Sequence, residues 1–204
     1  MLAELEHAGV RVVPGPLKVP ISVSGRHLHL SQAHLEALFG RGFELTVFHP
    51  ISQPGQYASN QFVTLTGPKG SIPNLRVLGP VRSQTQVELA MSEARRIGLN
   101  LPVRSSGDIE GSTGAILTGP SGSVTLTEGV IVADRHIHMT PEQALTWGFA
   151  DAQLVKVHID TPKGAVLYNV SVRVRADFTL DLHLDTDDAN ALLIPRDCYG
   201  IVIP

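Results

Sequence analysis

Two stretches decide how this chain reads: Arg26-His27-Leu28-His29-Leu30-Ser31 and Arg135-His136-Ile137-His138-Met139-Thr140. They are one motif written twice, 109 positions apart (136 against 27). Repetition on this scale is the mark of a duplicated unit. Alternation with period 2 predicts a strand in each copy, with both imidazoles on one face and the aliphatic residues on the other. A helix signal follows each copy. In the first, Ser31 is the N-cap, Leu35, Leu38 and Phe39 share a face, and Gly40 stops the helix. In the second, Thr140 is the N-cap, Pro141 sits at N1, Gln143 completes a capping box, and Gly148 ends it.

Turns repeat as well. Thr66-Gly67-Pro68-Lys69-Gly70-Ser71, Thr118-Gly119-Pro120-Ser121-Gly122-Ser123 and Thr161-Pro162-Lys163-Gly164 each follow a strand-like run. Beyond the turn, Asn74-Leu75-Arg76-Val77 aligns with Asn169-Val170-Ser171-Val172 at an offset of 95. The same offset sets Glu88 on His183. Both lie in alternating segments and point away from the aliphatic face. Short helices are predicted after each, over 92–97 and 186–192. Many short strands joined by Gly/Pro turns argue for small β-barrels. The expected fold is mainly β: two small β-barrels from a duplicated unit, each capped by short α-helices, with a metal site at their junction. The segment 101–114 reads as the most linker-like.

Composition bounds the function. The chain has 204 residues, 43% hydrophobic and 17% charged, with 19 glycines, 14 prolines and a net charge of −3. That balance suits a globular protein and predicts neither nucleic acid nor membrane as a partner. One cysteine, Cys198, excludes a disulfide framework and argues against a thiolate zinc knot. The segment Met1–Val10 carries acidic residues and no long apolar run, unlike a secretory signal. Its Leu2 and Leu5 offer a short stripe, read as a frayed terminus.

Nine histidines remain to be explained. The repeat assigns five of them. His27, His29 and Glu88 form one set of three candidate ligands, and His136, His138 and His183 form the other. Three nitrogen and oxygen ligands with an open position describe a catalytic zinc site. If the duplicated halves adjoin, the two ions act as a pair. His34, His158 and His7 read as ordinary surface or terminal positions, and Cys198 as a small hydrophobe near the C-terminus. Arg82 lies six residues before Glu88, so on one extended strand both side chains face the same way. It reads equally as an oxyanion clamp or as a structural partner of Glu88.

At these residues the chain resembles the PduL-type phosphotransacylases, the phosphate propanoyltransferases. The motifs that carry the likeness are VSGRHLHLS (23–31), SQPGQY (52–57), GPKGSI (67–72), RVLGPVRSQTQVE (76–88), VRSSGDIEGS (103–112), GVIVADRHIHMTPE (129–142) and LHLDTDDANA (182–191). The resemblance implies interconversion of acyl-CoA plus phosphate with acyl phosphate plus CoA. It implies two β-barrels with an interleaved chain path: residues 16–25 with 134–204, then 26–133 with an inserted hairpin, after an N-terminal extension over 1–15. It implies two zinc ions per chain on His27, His29, Glu88, His136, His138 and His183. Its essential arginine falls on Arg82. Its CoA contacts fall on Ser24, Arg76, Leu78, His183 and Asn190. Gly25 stands where the family usually has Asn, and His49 where a CoA-contacting Lys is common; the C-terminal 195–198 stretch also departs from the usual Gly-Asp turn. Family members ride in bacterial microcompartments, so the expected location is the cytoplasm or a microcompartment lumen, with shell association. A homodimer is expected from base rates for soluble enzymes.

Two other readings share the same histidines. A zinc-dependent thioester or ester hydrolase would release CoA without phosphate. A non-catalytic scaffold would use the histidines only to brace duplicated barrels, and would carry no stoichiometric zinc.

Overall fold

The computed structural model describes residues 15–203; the extension at 1–15 and His7 therefore fall outside them, apart from Gly15. Fourteen strands and four short helices are described. They run β1 (Lys18–Ser24), β2 (His27–His29), α1 (Gln32–Phe39), β3 (Val47–Pro50), β4 (Tyr57–Gly67), β5 (Gly70–Gly79), β6 (Gln86–Glu88) and α2 (Met91–Arg96). Then come β7 (Val103–Arg104), β8 (Thr113–Thr118), β9 (Ser123–Ala133), β10 (His136–Met139), α3 (Pro141–Trp147), β11 (Leu154–Ile159), β12 (Ala165–Val174), β13 (Asp181–Asp185), α4 (Thr186–Leu192) and β14 (Tyr199–Ile203). The fold is mainly β, as the sequence predicts.

Two closed six-stranded rings account for most of the strands. One runs β1-β13-β10-β12-β11-β14. The other runs β9-β6-β2-β5-β4-β8, closed because β8 pairs with both β4 and β9; β3 and β7 extend it at the side. The two orders correspond strand for strand. The chain path is interleaved: β1 precedes β2 yet pairs in the ring of β10, and β9 precedes β10 yet pairs in the ring of β2. By packing, one compact unit contains, of the described residues, 15–21, His136–His183 and 192–203. The other contains Ser22–Arg135 and Leu184–Ala191.

Local chemistry explains the elements. All three repeated turns close hairpins, between β4 and β5, β8 and β9, and β11 and β12. Both strand partners carry a bulge at matching places, where Val63/Leu65 face Leu75/Ile72 and Val155/Val157 face Val170/Leu167. Asn74 (φ 55°) and Asn169 (φ 56°) sit in these bulges in the left-handed region. Asn tolerates that region better than most side chains, which is why the repeat keeps it. The caps form as read: Ser31 Oγ accepts from His34 N–H, and Thr140 makes a full capping box with Gln143 before Gly148 ends α3. In the ring of β2 the aliphatic faces meet in a core of Leu28, Leu30, Leu65, Ile72, Leu75, Val77, Val87 and Leu117, all buried.

Two expectations are corrected. The 101–114 segment is not a free linker: β7 pairs in parallel with β9, and Ser105 and Pro102 backbone groups are hydrogen-bonded. Nor does one strand run from Arg82 to Glu88. β6 begins at Gln86, after a bend, and Arg82 is placed separately by a bridge to Ser31, its N–H donating to Leu30 O at 2.9 Å.

Candidate metal centres

Both ligand sets arise from the same strand geometry. β2 and β6 pair antiparallel with His27 opposite Glu88 and His29 opposite Gln86. β10 and β13 pair antiparallel with His136 opposite His183 and His138 opposite Asp181. Directly opposed residues hold their Cβ atoms about 4.5–5.5 Å apart, so each block of four side chains converges on one face. Potential ligand atoms of His27, His29 and Glu88 all lie within 4.8 Å of one another, and so do those of His136, His138 and His183.

The imidazole hydrogen bonds prepare the first set. His27 Nδ1 lies 2.9 Å from Gly25 O, so it carries the proton and Nε2 carries the lone pair. That Nε2 lies 3.4 Å from Glu88 Oε2. His29 is hydrogen-bonded to the Leu78 backbone, while its buried Nδ1 has no hydrogen-bond partner. Burial first, then the Arg82 charge and then His27, hold the His29 imidazole well below its ordinary value. In the second set His138 Nδ1 is likewise buried without a partner. Burial, with the charges of His136, His183, Arg173 and Arg175, pushes His138 down to about 2. Both imidazoles are therefore neutral at pH 7, the form that ligates metals. A buried lone pair without a donor is costly unless a cation takes it. The donor sets thus fit a divalent ion in each unit.

The repeated arginines have a structural use. Arg26 pairs with Glu93 on α2 at 2.7 Å. Arg135 forks onto Asp188 on α4 at 2.7 and 2.6 Å. Glu93 and Asp188 are again 95 apart, so each motif arginine anchors the helix that follows its third candidate ligand.

A model of the family described as phosphate propanoyltransferase matches residues 20–195. The chain belongs to the phosphate propanoyltransferase family. Its relatives of that name include one from Thermotoga maritima, 48% identical over 91% of this chain and 87% of the relative. Another, from Lachnoclostridium phytofermentans, is 47% identical over 86% and 83%. A third, from Rhodobacter capsulatus, is 45% identical over 89% and 85%. The protein is thus an acyltransferase.

Against the phosphate propanoyltransferase expectations, the remaining residues fall as follows. Arg82 Nη1 donates to Ser106 Oγ at 3.3 Å and Nη2 to Gln56 Oε1 at 3.5 Å. Ser24, Arg76, Leu78 and Asn190 lie in the unit of the first set, and His183 in the other. Arg76 is held between the rings of Phe62 (4.2 Å) and Phe48 (4.7 Å). Gly25 has open space where a Cβ would go, so its departure from Asn meets no clash. The carbonyl that His27 uses belongs to the backbone and is indifferent to that side chain. His49 is exposed, with Nδ1 2.7 Å from Pro50 O. His34, read as a surface residue, is half-buried and bonds to Thr85 Oγ1 at 2.8 Å.

Residue-type reasoning missed Gln86. Its amide donates to Glu88 Oε1 (2.6 Å) and Ser106 Oγ (2.8 Å), and its oxygen accepts from Gly107 N–H (2.7 Å). Gln86 therefore ties the candidate ligand Glu88 to the residue that touches Arg82. The signal was present in the repeat, because Gln86 lies two before Glu88 and faces the same way. Ser106 and Gly107 come from the stretch read as a linker.

Proposed function

We propose that this chain transfers propanoyl, or an acyl group of similar short length, between coenzyme A and inorganic phosphate. The observation that carries the reading is Arg82. A guanidinium braced by Ser106 and Gln56 stands close enough to the first ligand set to act on the His29 imidazole. A site of that kind suits an anion that must be held next to an electrophile. In this mechanism Arg82 holds phosphate in line with the thioester carbonyl carbon, supplying proximity and charge neutralisation. A phosphate oxygen forms the new C–O bond, the developing oxyanion is stabilised by the Arg82 charge, and the C–S bond then breaks. The products are acyl phosphate and the CoA thiolate. Zinc bound by each ligand set would supply Lewis acidity to the carbonyl and a soft partner for the departing sulfur. His27 and His29 would hold the first ion with Glu88, and His136, His138 and His183 would hold the second. Gln86 keeps the Glu88 carboxylate in place.

CoA is assigned to Ser24, Arg76, Leu78, His183 and Asn190. Support comes from Arg76, a cation ordered by two aromatic rings at 4.2 and 4.7 Å and suited to a phosphate. Homodimer formation, residence in the cytoplasm or a microcompartment lumen, and shell association rest on the family resemblance and base rates. No described helix is long and apolar enough to cross a membrane.

The test is CoA release from acetyl-, propanoyl- and butanoyl-CoA, with and without phosphate, on protein whose metal content is measured. Release that requires phosphate, with two zinc ions per chain, is expected. Phosphate-independent release would identify a hydrolase, and protein without zinc a scaffold.

A further inference from the structure

Each ligand set occupies three corners of a four-residue block, and the fourth corner differs between the two. In the first block it is Gln86, opposite His29. In the second it is Asp181, opposite His138. The two are 95 residues apart, the offset that relates Glu88 to His183. The blocks are therefore the same construction with different side chains. The first contains one carboxylate, Glu88, and an amide that holds it at 2.6 Å. The second contains three imidazoles and would have no anion but for Asp181. Asp181 is 3% exposed, and its Oδ2 lies 3.4 Å from His183 Nε2.

We propose that Asp181 is the charge-compensating carboxylate of the second metal site, doing there from the fourth corner what Glu88 does in the first from the third. A carboxylate 3.4 Å from the imidazole of a candidate ligand is placed to offset the charge of a cation that the block binds. Three neutral imidazoles leave the whole charge of a divalent ion uncompensated. A carboxylate beside one of them orients that imidazole and raises its basicity, as in the carboxylate–histidine–zinc arrangement. One carboxylate per block then gives both sites the same net charge, by different routes. Asp181 acts through His183 and is a positioning residue. This inference rests on the reading that each ligand set holds a metal ion.

Asp181→Asn removes the charge and keeps the shape. Zinc titrations in competition with a chromophoric chelator resolve the two sites of wild-type protein. In Asp181→Asn, one site is expected to weaken by about 10–100-fold while the other is unchanged. Urea unfolding with and without zinc provides the second readout. The variant is expected to gain less stability from zinc than the wild type gains. Unchanged affinity at both sites would overturn the inference. So would a variant that gains as much stability from zinc as the wild type, or one that fails to fold even with zinc present. Wild-type protein that takes up no zinc would instead overturn the metal reading itself.

Discussion

Replacing Gln86 with Leu tests how the first site is held together. Gln86 is 2% exposed and makes three side-chain hydrogen bonds, at 2.6, 2.8 and 2.7 Å. One goes to the carboxylate of Glu88, the proposed ligand, one to Ser106 and one comes from the Gly107 amide. A hydrogen bond to a charged partner contributes about 1.5–3 kcal/mol, and a neutral one about 0.5–1.5. The three together give roughly 2.5–6 kcal/mol, and a buried Leu returns about 1–2 through its apolar surface. The expected net loss is about 3 kcal/mol, read by urea unfolding of the metal-free protein. Glu88 Oε1 also loses the donor that fixes its rotamer, so zinc affinity at this site should fall about 10–100-fold. A variant within about 0.5 kcal/mol of wild type, the range of an ordinary surface change, with undiminished zinc affinity would refute the reasoning.

Three further outcomes are expected. Arg82→Ala should lower phosphate-dependent CoA release by about 10²–10³-fold or more while zinc content stays at the wild-type level; near-normal turnover would remove Arg82 from the mechanism. Acidification should destabilise the metal-free protein. His29 and His138 are held neutral in the fold, His138 at about 2 against an ordinary 6.5. The unfolded chain therefore takes up protons that the fold refuses, and stability present above pH 6.5 is lost as pH falls toward 2. Between pH 7 and 5.5 His138 alone should cost about 1.3 kcal/mol, with His29 adding in the same direction, and a urea midpoint that does not move would contradict their burial as neutral groups. Thr140→Ala removes the acceptor for Gln143 N–H at 3.2 Å and should cost about 1 kcal/mol, with Thr140→Ser restoring most of it in thermal denaturation.

Much of this protein is legible in its linear order, and the reason is duplication. A single H-x-H says little. The same six-residue motif at two places, each before a capped helix and each followed by Gly/Pro turns, leaves few folds that fit. Period-2 alternation places His27 with His29, and His136 with His138, on one face of a strand without any tertiary knowledge. The offset of 95 then picks out Glu88 and His183, and the structure sets each opposite the first histidine of its pair. The caps at Ser31 and Thr140 are local hydrogen bonds, so they too can be read from neighbouring residues. The left-handed Asn74 and Asn169 explain why those asparagines recur.

What escaped was contact between segments distant along the chain. The bend before Gln86 breaks the alternation through which Arg82 was compared with Glu88, and a backbone bond to Leu30 sets Arg82 instead. The 101–114 stretch has the composition of a linker, yet it brings Ser106 and Gly107 to Gln86. The duplicated strands, capped helices, hairpins and two histidine sets were determined by local pattern, because periodicity and capping act within a few residues. The pairing of each set with its fourth corner, and the bracing of Arg82 by Ser106 and Gln56, were decided only by tertiary structure. Strand register and ring closure bring together side chains that no local rule relates.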